Sequence, residues 1–223
     1  NYSLFMSQCA NRWRDLLSHF PKASGSIVSW WGVMESKYSE PQRYYHTMAH
    51  IESMFTHYDH IENMLQQPKL VSFAIFFHDI IYQPTQKDNE EQSADLFNEF
   101  AKEINLADDD RKIVYQWIVD TKEHKGVHGR SNCDLNLFID MDLSIFGTPR
   151  DVYKQYAKDI RNEYIHVPED AYLTGRASVL EHFLPKEDQT IFKSQIFIDK
   201  LEKQALDNIQ WEIRELKSGS LIQ

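Results

Sequence analysis

Leu70-Val71-Ser72-Phe73-Ala74-Ile75-Phe76-Phe77-His78-Asp79 is the stretch on which the reading of this chain turns. It is apolar nearly all round, yet far shorter than the roughly 20 residues needed to cross a bilayer. A helix of that kind belongs in the middle of a soluble core. The β-branched run at 75–81 would also suit a buried strand, so the flanking sequence has to decide.

On both sides the apolar residues recur at helical spacing. Leu4, Phe5, Cys9, Trp13, Leu16 and Leu17 form one stripe, stopped near Pro21. Ile27, Trp30, Trp31 and Met34 mark a second helix over 24–38. Ile51, Met54, Phe55, Tyr58, Ile61 and Leu65 mark a longer one from His46 to before Pro68. Downstream, Asp88-Asn89-Glu90-Glu91 and Asp108-Asp109-Asp110 read as helix starts, where acids complement the N-terminal dipole. Residues 123–134 form the chief loop, and 135–145 is another short apolar stretch. Further helices are expected over about 151–165, 170–183 and 192–216. No linker or internal repeat divides the chain. The expectation is all-α: a single helical bundle over 1–223, with a core at about 40–150 and C-terminal helices 151–217 packing on it.

Composition narrows the function classes. The 223 residues carry 34 acidic and 24 basic side chains, a net charge of −10. A partner that is a nucleic-acid polymer calls for a basic stripe, and none is visible. Seven glycines are about 3% of the chain, against roughly 7% in average proteins, which disfavours glycine-rich phosphate loops. No apolar run is long enough for a membrane span. Two cysteines without CxxC spacing, and no signal-peptide pattern, lead us to expect a reducing, cytoplasmic setting. The Trp30-Trp31 pair and the last helix suit either the core or the surface of a homo-oligomer.

Three segments place metal-ligand residue types inside apolar helices. Tyr45-His46-Thr47-Met48-Ala49-His50 carries two histidines at i and i+4, which a helix would put on one face. His78-Asp79 ends the apolar helix, where an imidazole and a carboxylate are unfavourable unless hydrogen-bonded or bound to a cation. Asp140-Met141-Asp142-Leu143 interrupts a third apolar run. Nitrogen plus carboxylate ligands suit transition metals better than calcium. Each segment also has a plain structural reading, as a hydrogen-bonded core histidine or a helix cap. Their order carries more weight than any one of them.

That order resembles the HD superfamily of metal-dependent phosphohydrolases, in particular a subgroup of small predicted HD-domain phosphohydrolases. The segments that carry the resemblance are Arg43-Tyr44-Tyr45-His46 with His50-Ile51, Phe77-His78-Asp79-Ile80-Ile81-Tyr82 and Asp88-Asn89-Glu90-Glu91 with Ser93-Ala94. Asp140-Met141-Asp142-Leu143, Arg161-Asn162-Glu163-Tyr164 and Gly175-Arg176 complete it, so that it spans about residues 40–180. It implies metal ligands His50, His78, Asp79 and Asp142, with Asp140 as the alternative last ligand. His46 would be a further ligand or a pocket residue.

The implied activity is hydrolysis of a small phosphorylated metabolite, with a nucleotide as the expected class, by metal-activated water. Asp79, Glu90 and Glu91 are the candidates to orient that water. Arg43, Lys122, His124, Arg161, Tyr164 and Arg176 are the candidates to hold the phosphate side, Arg being suited to two phosphate oxygens at once. The cofactor would be a divalent ion: Mn, Zn, Ni, Co, Fe or Mg. A second metal would need extra histidines, and His124 and His128 do not follow that pattern cleanly. Two alternatives remain. One is an HD-fold ligand-sensing or scaffold protein without turnover; the other, less favoured, is a di-iron oxygenase. Tyr44, Tyr45 and Tyr82 could stack on a base or simply pack.

Overall fold

The computed structural model describes residues 8–124, 126–127, 133–186 and 189–220. Among them are ten α-helices and no strand, so the all-α class is what the molecule has. Leu4, Phe5 and His128 lie outside the described residues. The chain falls into two compact units, Asn1–Lys125 and Gly126–Gln223.

The first unit holds α1 (Gln8–Ser18), α2 (Ser26–Tyr38), α3 (Met48–Ile61), α4 (Pro68–Phe77), α5 (Asn89–Glu103) and α6 (Asp108–Asp120). Helix α4 is the stretch quoted at the outset, and it lies against α3, α5 and α6. Pro68 starts it with a fixed φ and no N–H to leave unpaired. Every residue from Leu70 to Phe77 is buried, which explains a composition with no polar face. The strand alternative for 75–81 is thereby excluded: the helix runs to Phe77 and ends in turns.

Around α4 the core is aromatic. The rings of Phe77 and Phe100 stack at 5.1 Å, and Trp13 meets Phe76 edge-on at 5.3 Å. Such pairs add about 0.5–1.5 kcal/mol each beyond their buried area. The polar atoms of these large rings are satisfied inside the unit. Trp13 Nε1 donates to the Ile27 carbonyl at 3.0 Å, and the Tyr38 hydroxyl donates to the Phe76 carbonyl at 2.9 Å. The acids expected to open α5 and α6 do stand in their first turns.

The second unit holds α7 (Asp134–Leu143), a 3-10 turn at Ser144–Gly147, α8 (Arg150–Glu163), α9 (Glu169–Phe183) and α10 (Gln195–Lys217). Helix α10 lies along both α9 and the 3-10 turn. That approach is close enough to require glycine: a Cβ on Gly147 would sit 2.5 Å from the Leu201 Cβ. Buried polar side chains fasten the long helix. Asn208 Nδ2 donates to the Phe146 and Thr148 carbonyls, both at 2.8 Å. Glu202 accepts from the backbone N–H groups of Ile191 and Phe192.

The two cysteines are unlike one another. Cys9 is 1% exposed, and burial pushes its thiol pKa up to about 12, whereas Cys133 is half-buried. Since the thiolate is the reactive form, alkylation of the native protein at pH 8 should modify Cys133 alone. Unfolding in denaturant should release the second thiol. Native labelling at Cys9, located by peptide mass mapping, would contradict this packing.

Candidate metal centre

The first unit brings His50, His78 and Asp79 together. His50 lies in the first turn of α3, and His78 caps the C-terminus of α4, with Asp79 next in the chain. Both imidazoles are buried, at 5% and 1% exposure. Their Nε2 atoms are 3.2 Å apart. One carboxylate oxygen of Asp79 lies 3.1 Å from His78 Nε2 and 3.8 Å from His50 Nε2.

The tautomer of His78 follows from its other nitrogen. Nδ1 is 3.0 Å from the Ile75 carbonyl, which can only accept, so Nδ1 carries the proton in the neutral ring. Nε2 then presents a lone pair toward His50 and Asp79. A backbone carbonyl on the far nitrogen is the usual means of orienting a metal-binding histidine. His50 Nε2, His78 Nε2 and an Asp79 oxygen thus lie within 3.1–3.8 Å of one another, and two imidazole nitrogens with a carboxylate oxygen are a donor set that suits a transition metal.

His46 is placed differently from the sequence expectation. Thr47 has extended backbone, φ −113° and ψ 179°, and α3 starts only at Met48. His46 is therefore outside the helix, and the i, i+4 argument does not apply to it. Its ring stacks on Tyr82 at 4.1 Å and meets the His50 ring edge-on at 6.2 Å, while Tyr45 lies 4.9 Å from His50. His46 and the two tyrosines thus wall one side of the centre.

Glu90 and Glu91 open α5. Burial raises the Glu90 pKa above the ordinary carboxylate value, and the negative charge of Asp79 adds to the rise. Glu91 goes the other way. It is half-buried, accepts from Lys122 Nζ at 2.5 Å, and its pKa is lowered chiefly by that bond; the Lys122 pKa rises with it. His124 follows α6 in a left-handed turn, φ 48°.

Arg43 is buried and donates to backbone. Nη1 reaches the His46 carbonyl at 2.9 Å and the Asp79 carbonyl at 2.7 Å, and Nη2 reaches the Ile80 carbonyl at 2.9 Å. Ser93, which sequence reasoning singled out only as part of a motif, bonds both the N–H and the carbonyl of Ile81. The side chains that hold the main chain beside a centre look like ordinary polar residues in sequence. Only the order Arg43…His46 and Ser93 after Glu90-Glu91 hinted at them.

The second unit carries the remaining expected residues. Arg161 donates to the Tyr164 and Val167 carbonyls at 2.7 and 3.2 Å and lies over the Tyr172 ring. Arg176 forks onto Glu212 at 2.8 and 3.3 Å and also donates to the Tyr156 hydroxyl. Tyr164 ends α8, its ring parallel to that of His166. Asp140, the alternative last ligand, is fully buried. Its two oxygens accept the N–H groups of Lys193 and Ser194, each at 2.7 Å, and the Ser194 hydroxyl. It thereby fixes the two residues that lead into α10. Asp142 is half-buried two residues on, which on a helix is a different side.

The histidines given no chemical role serve locally. His19, His60 and His182 each place Nδ1 against the carbonyl four residues earlier.

The chain matches no family model, no curated protein and no solved structure. The residues themselves carry the functional argument.

Asp140 gives a test of this division of roles. Removing its carboxylate leaves two buried N–H donors unpaired, at about 1–3 kcal/mol each. Asp140→Ala should lower Tm by roughly 6–12 °C, taking about 3 kcal/mol and 2–4 °C per kcal/mol for this size. Burial outweighs the hydrogen bonds and pushes the Asp140 pKa up to about 6, above its ordinary 3.8. A raised folded pKa means stability that is complete below the unfolded pKa and lost as pH rises through the folded one. Wild-type stability should therefore decline between pH 4 and 6.5 relative to that of Asp140→Ala. Parallel curves over that range would refute the assignment.

Proposed function

We propose that this protein is a metal-dependent phosphohydrolase of the HD type, acting on a small phosphorylated metabolite of the nucleotide class. The observation that supports it best is the buried convergence of His50 Nε2, His78 Nε2 and an Asp79 oxygen within 3.1–3.8 Å, with the His78 ring already oriented by Ile75. His50, His78 and Asp79 would hold a divalent cation. The resemblance implies Asp142 as the last ligand, and the carboxylate of Asp140 is committed to the segment before α10. A divalent cation bound there supplies Lewis acidity and lowers the pKa of water from 15.7 toward about 7.

The chain's own groups do the rest. Glu90, whose raised pKa brings it nearer neutrality, is suited to take a proton from the attacking water and pass it on. His46, Tyr45 and Tyr82 form an aromatic wall on which a planar group can rest. Lys122 is the cation best suited to the phosphate. Its exposed pair with Glu91 is worth little in water and is readily exchanged for a stronger anion. Arg43, Arg161 and Arg176 have fixed partners within their own units, and this reading assigns them no substrate contact.

Metal analysis of the purified protein, then assays with Mn, Co, Ni and Zn against nucleotide mono-, di- and triphosphates and a generic phosphoester, tests the proposal. Phosphate release is expected with at least one metal. His78→Ala and Asp79→Ala should lose both metal and activity, and Asp142→Ala should bind metal more weakly. Glu90→Gln should keep the metal while kcat falls about 100-fold, the scale of general acid–base catalysis. Lys122→Gln should raise KM more than it lowers kcat. No metal and no release under any condition would sink the proposal. Metal and nucleotide bound without turnover would favour the sensing alternative, and an iron-dependent visible spectrum the oxygenase.

A further inference from the structure

Arg43 has an arrangement that neither substrate binding nor a surface ion pair explains. Its side chain is 0% exposed, so no solute reaches it without the structure opening. Three of its hydrogen bonds go to main-chain carbonyls in two separate segments of the first unit: His46 on one side, Asp79 and Ile80 on the other. The His46 segment leads directly into the first turn of α3, which carries His50. The Asp79–Ile80 segment carries one candidate ligand itself and directly follows another, His78. A single rigid, planar group thus spans the two pieces of chain whose side chains must converge. Glu40 accepts from Nε at 3.3 Å, and the rings of Tyr38 and Tyr82 flank the guanidinium at 5.0 and 5.5 Å. The fork has little room to rotate.

Resting on the reading of the centre given above, we propose that Arg43 is its positioning residue: by bridging the His46, Asp79 and Ile80 carbonyls it sets the register between His50 and the His78-Asp79 pair. Lysine cannot replace it. An ammonium is a point donor and cannot address three carbonyls along two edges of a plane.

The test compares Co2+ uptake by metal-free full-length wild type, Arg43→Lys and Phe97→Leu, followed by the visible absorption of bound Co2+. Phe97 is fully buried in the aromatic core, where its ring meets that of Phe77, so its variant loses packing stability while leaving every hydrogen bond of Arg43 in place. Arg43→Lys should bind Co2+ about 10–100-fold more weakly, the range for partners that orient metal ligands, while Phe97→Leu keeps wild-type affinity. Wild-type affinity in Arg43→Lys, or an equal loss in both variants, overturns the proposal. Should Arg43→Lys fail to fold, Glu40→Ala removes the Nε partner, together with the Glu40 contacts to Lys37 and Gln42, and leaves the three carbonyl bonds of Arg43 in place. A smaller loss in the same direction supports the role, and wild-type affinity there overturns it. Imidazole 1H–15N spectra of the metal-free proteins separate this inference from the reading of the centre. If wild type takes up no Co2+, the metal reading fails. In that event a His50 and His78 pattern changed in Arg43→Lys but not in Phe97→Leu still upholds positioning, and an unchanged pattern overturns it.

Discussion

An apolar helix has to stop somewhere, and where α4 stops determines what the first unit can do. Its side chains from Leu70 to Phe77 leave no polar surface, so the unit closes around it on every side. The next two residues are His78 and Asp79, set down where water is scarce. Polar groups in such a place need partners, and the chain brings the His50 imidazole to meet them. The aromatic packing, the capping of α4 and the candidate centre are in this sense one constraint. The core fixes the end of the helix, and the end of the helix fixes the donors.

Much of this was legible in advance because it is periodic. The all-round apolar run, the stripes of α1, α2 and α3, and the acids that open α5 and α6 all follow from spacing and dipole rules that act within a few residues. What was not legible depends on single dihedral angles or on distant partners. The helix of His50 was expected to begin at His46. The extended ψ of Thr47 delays it by two residues, and no side-chain cap announces the change. Arg43 and Arg176 looked like phosphate ligands because an arginine in sequence carries no sign of its partner. In the structure one meets a carbonyl three residues on and another 36 residues away, and the other meets Glu212 36 residues away. Asp140 and Asp142 could not be separated by pattern. The separation came from Lys193 and Ser194, more than fifty residues later.

The acidic excess has a similar two-part explanation. The net charge of −10 suggested a surface that repels polyanions. Yet several carboxylates of the second unit are inside it. Asp140 and Glu202 cap backbone N–H groups, and Glu212 takes the Arg176 fork and the Tyr153 hydroxyl. They act as rigid acceptors where the chain has no regular hydrogen-bond ladder. In the second unit Asp140 and Glu202 close the irregular segment ahead of α10, where the N–H groups of Ile191, Phe192, Lys193 and Ser194 all donate to Glu202 or Asp140.

The belt of side chains around the His78 turn has a thermodynamic meaning of its own. Arg43 holds the carbonyls of His46, Asp79 and Ile80, Gln42 holds that of Tyr82, and Ser93 clasps Ile81 at both ends. None of these bonds involves a ligand atom. The loop is consequently ordered by the polypeptide itself, and on the proposed reading folding and cation uptake would be two separate equilibria. In small zinc domains they are a single event, and a chelator unfolds the protein. A centre built this way could be emptied and refilled while its cradle stands, and the identity of an ion inside it would be a matter of supply rather than of folding.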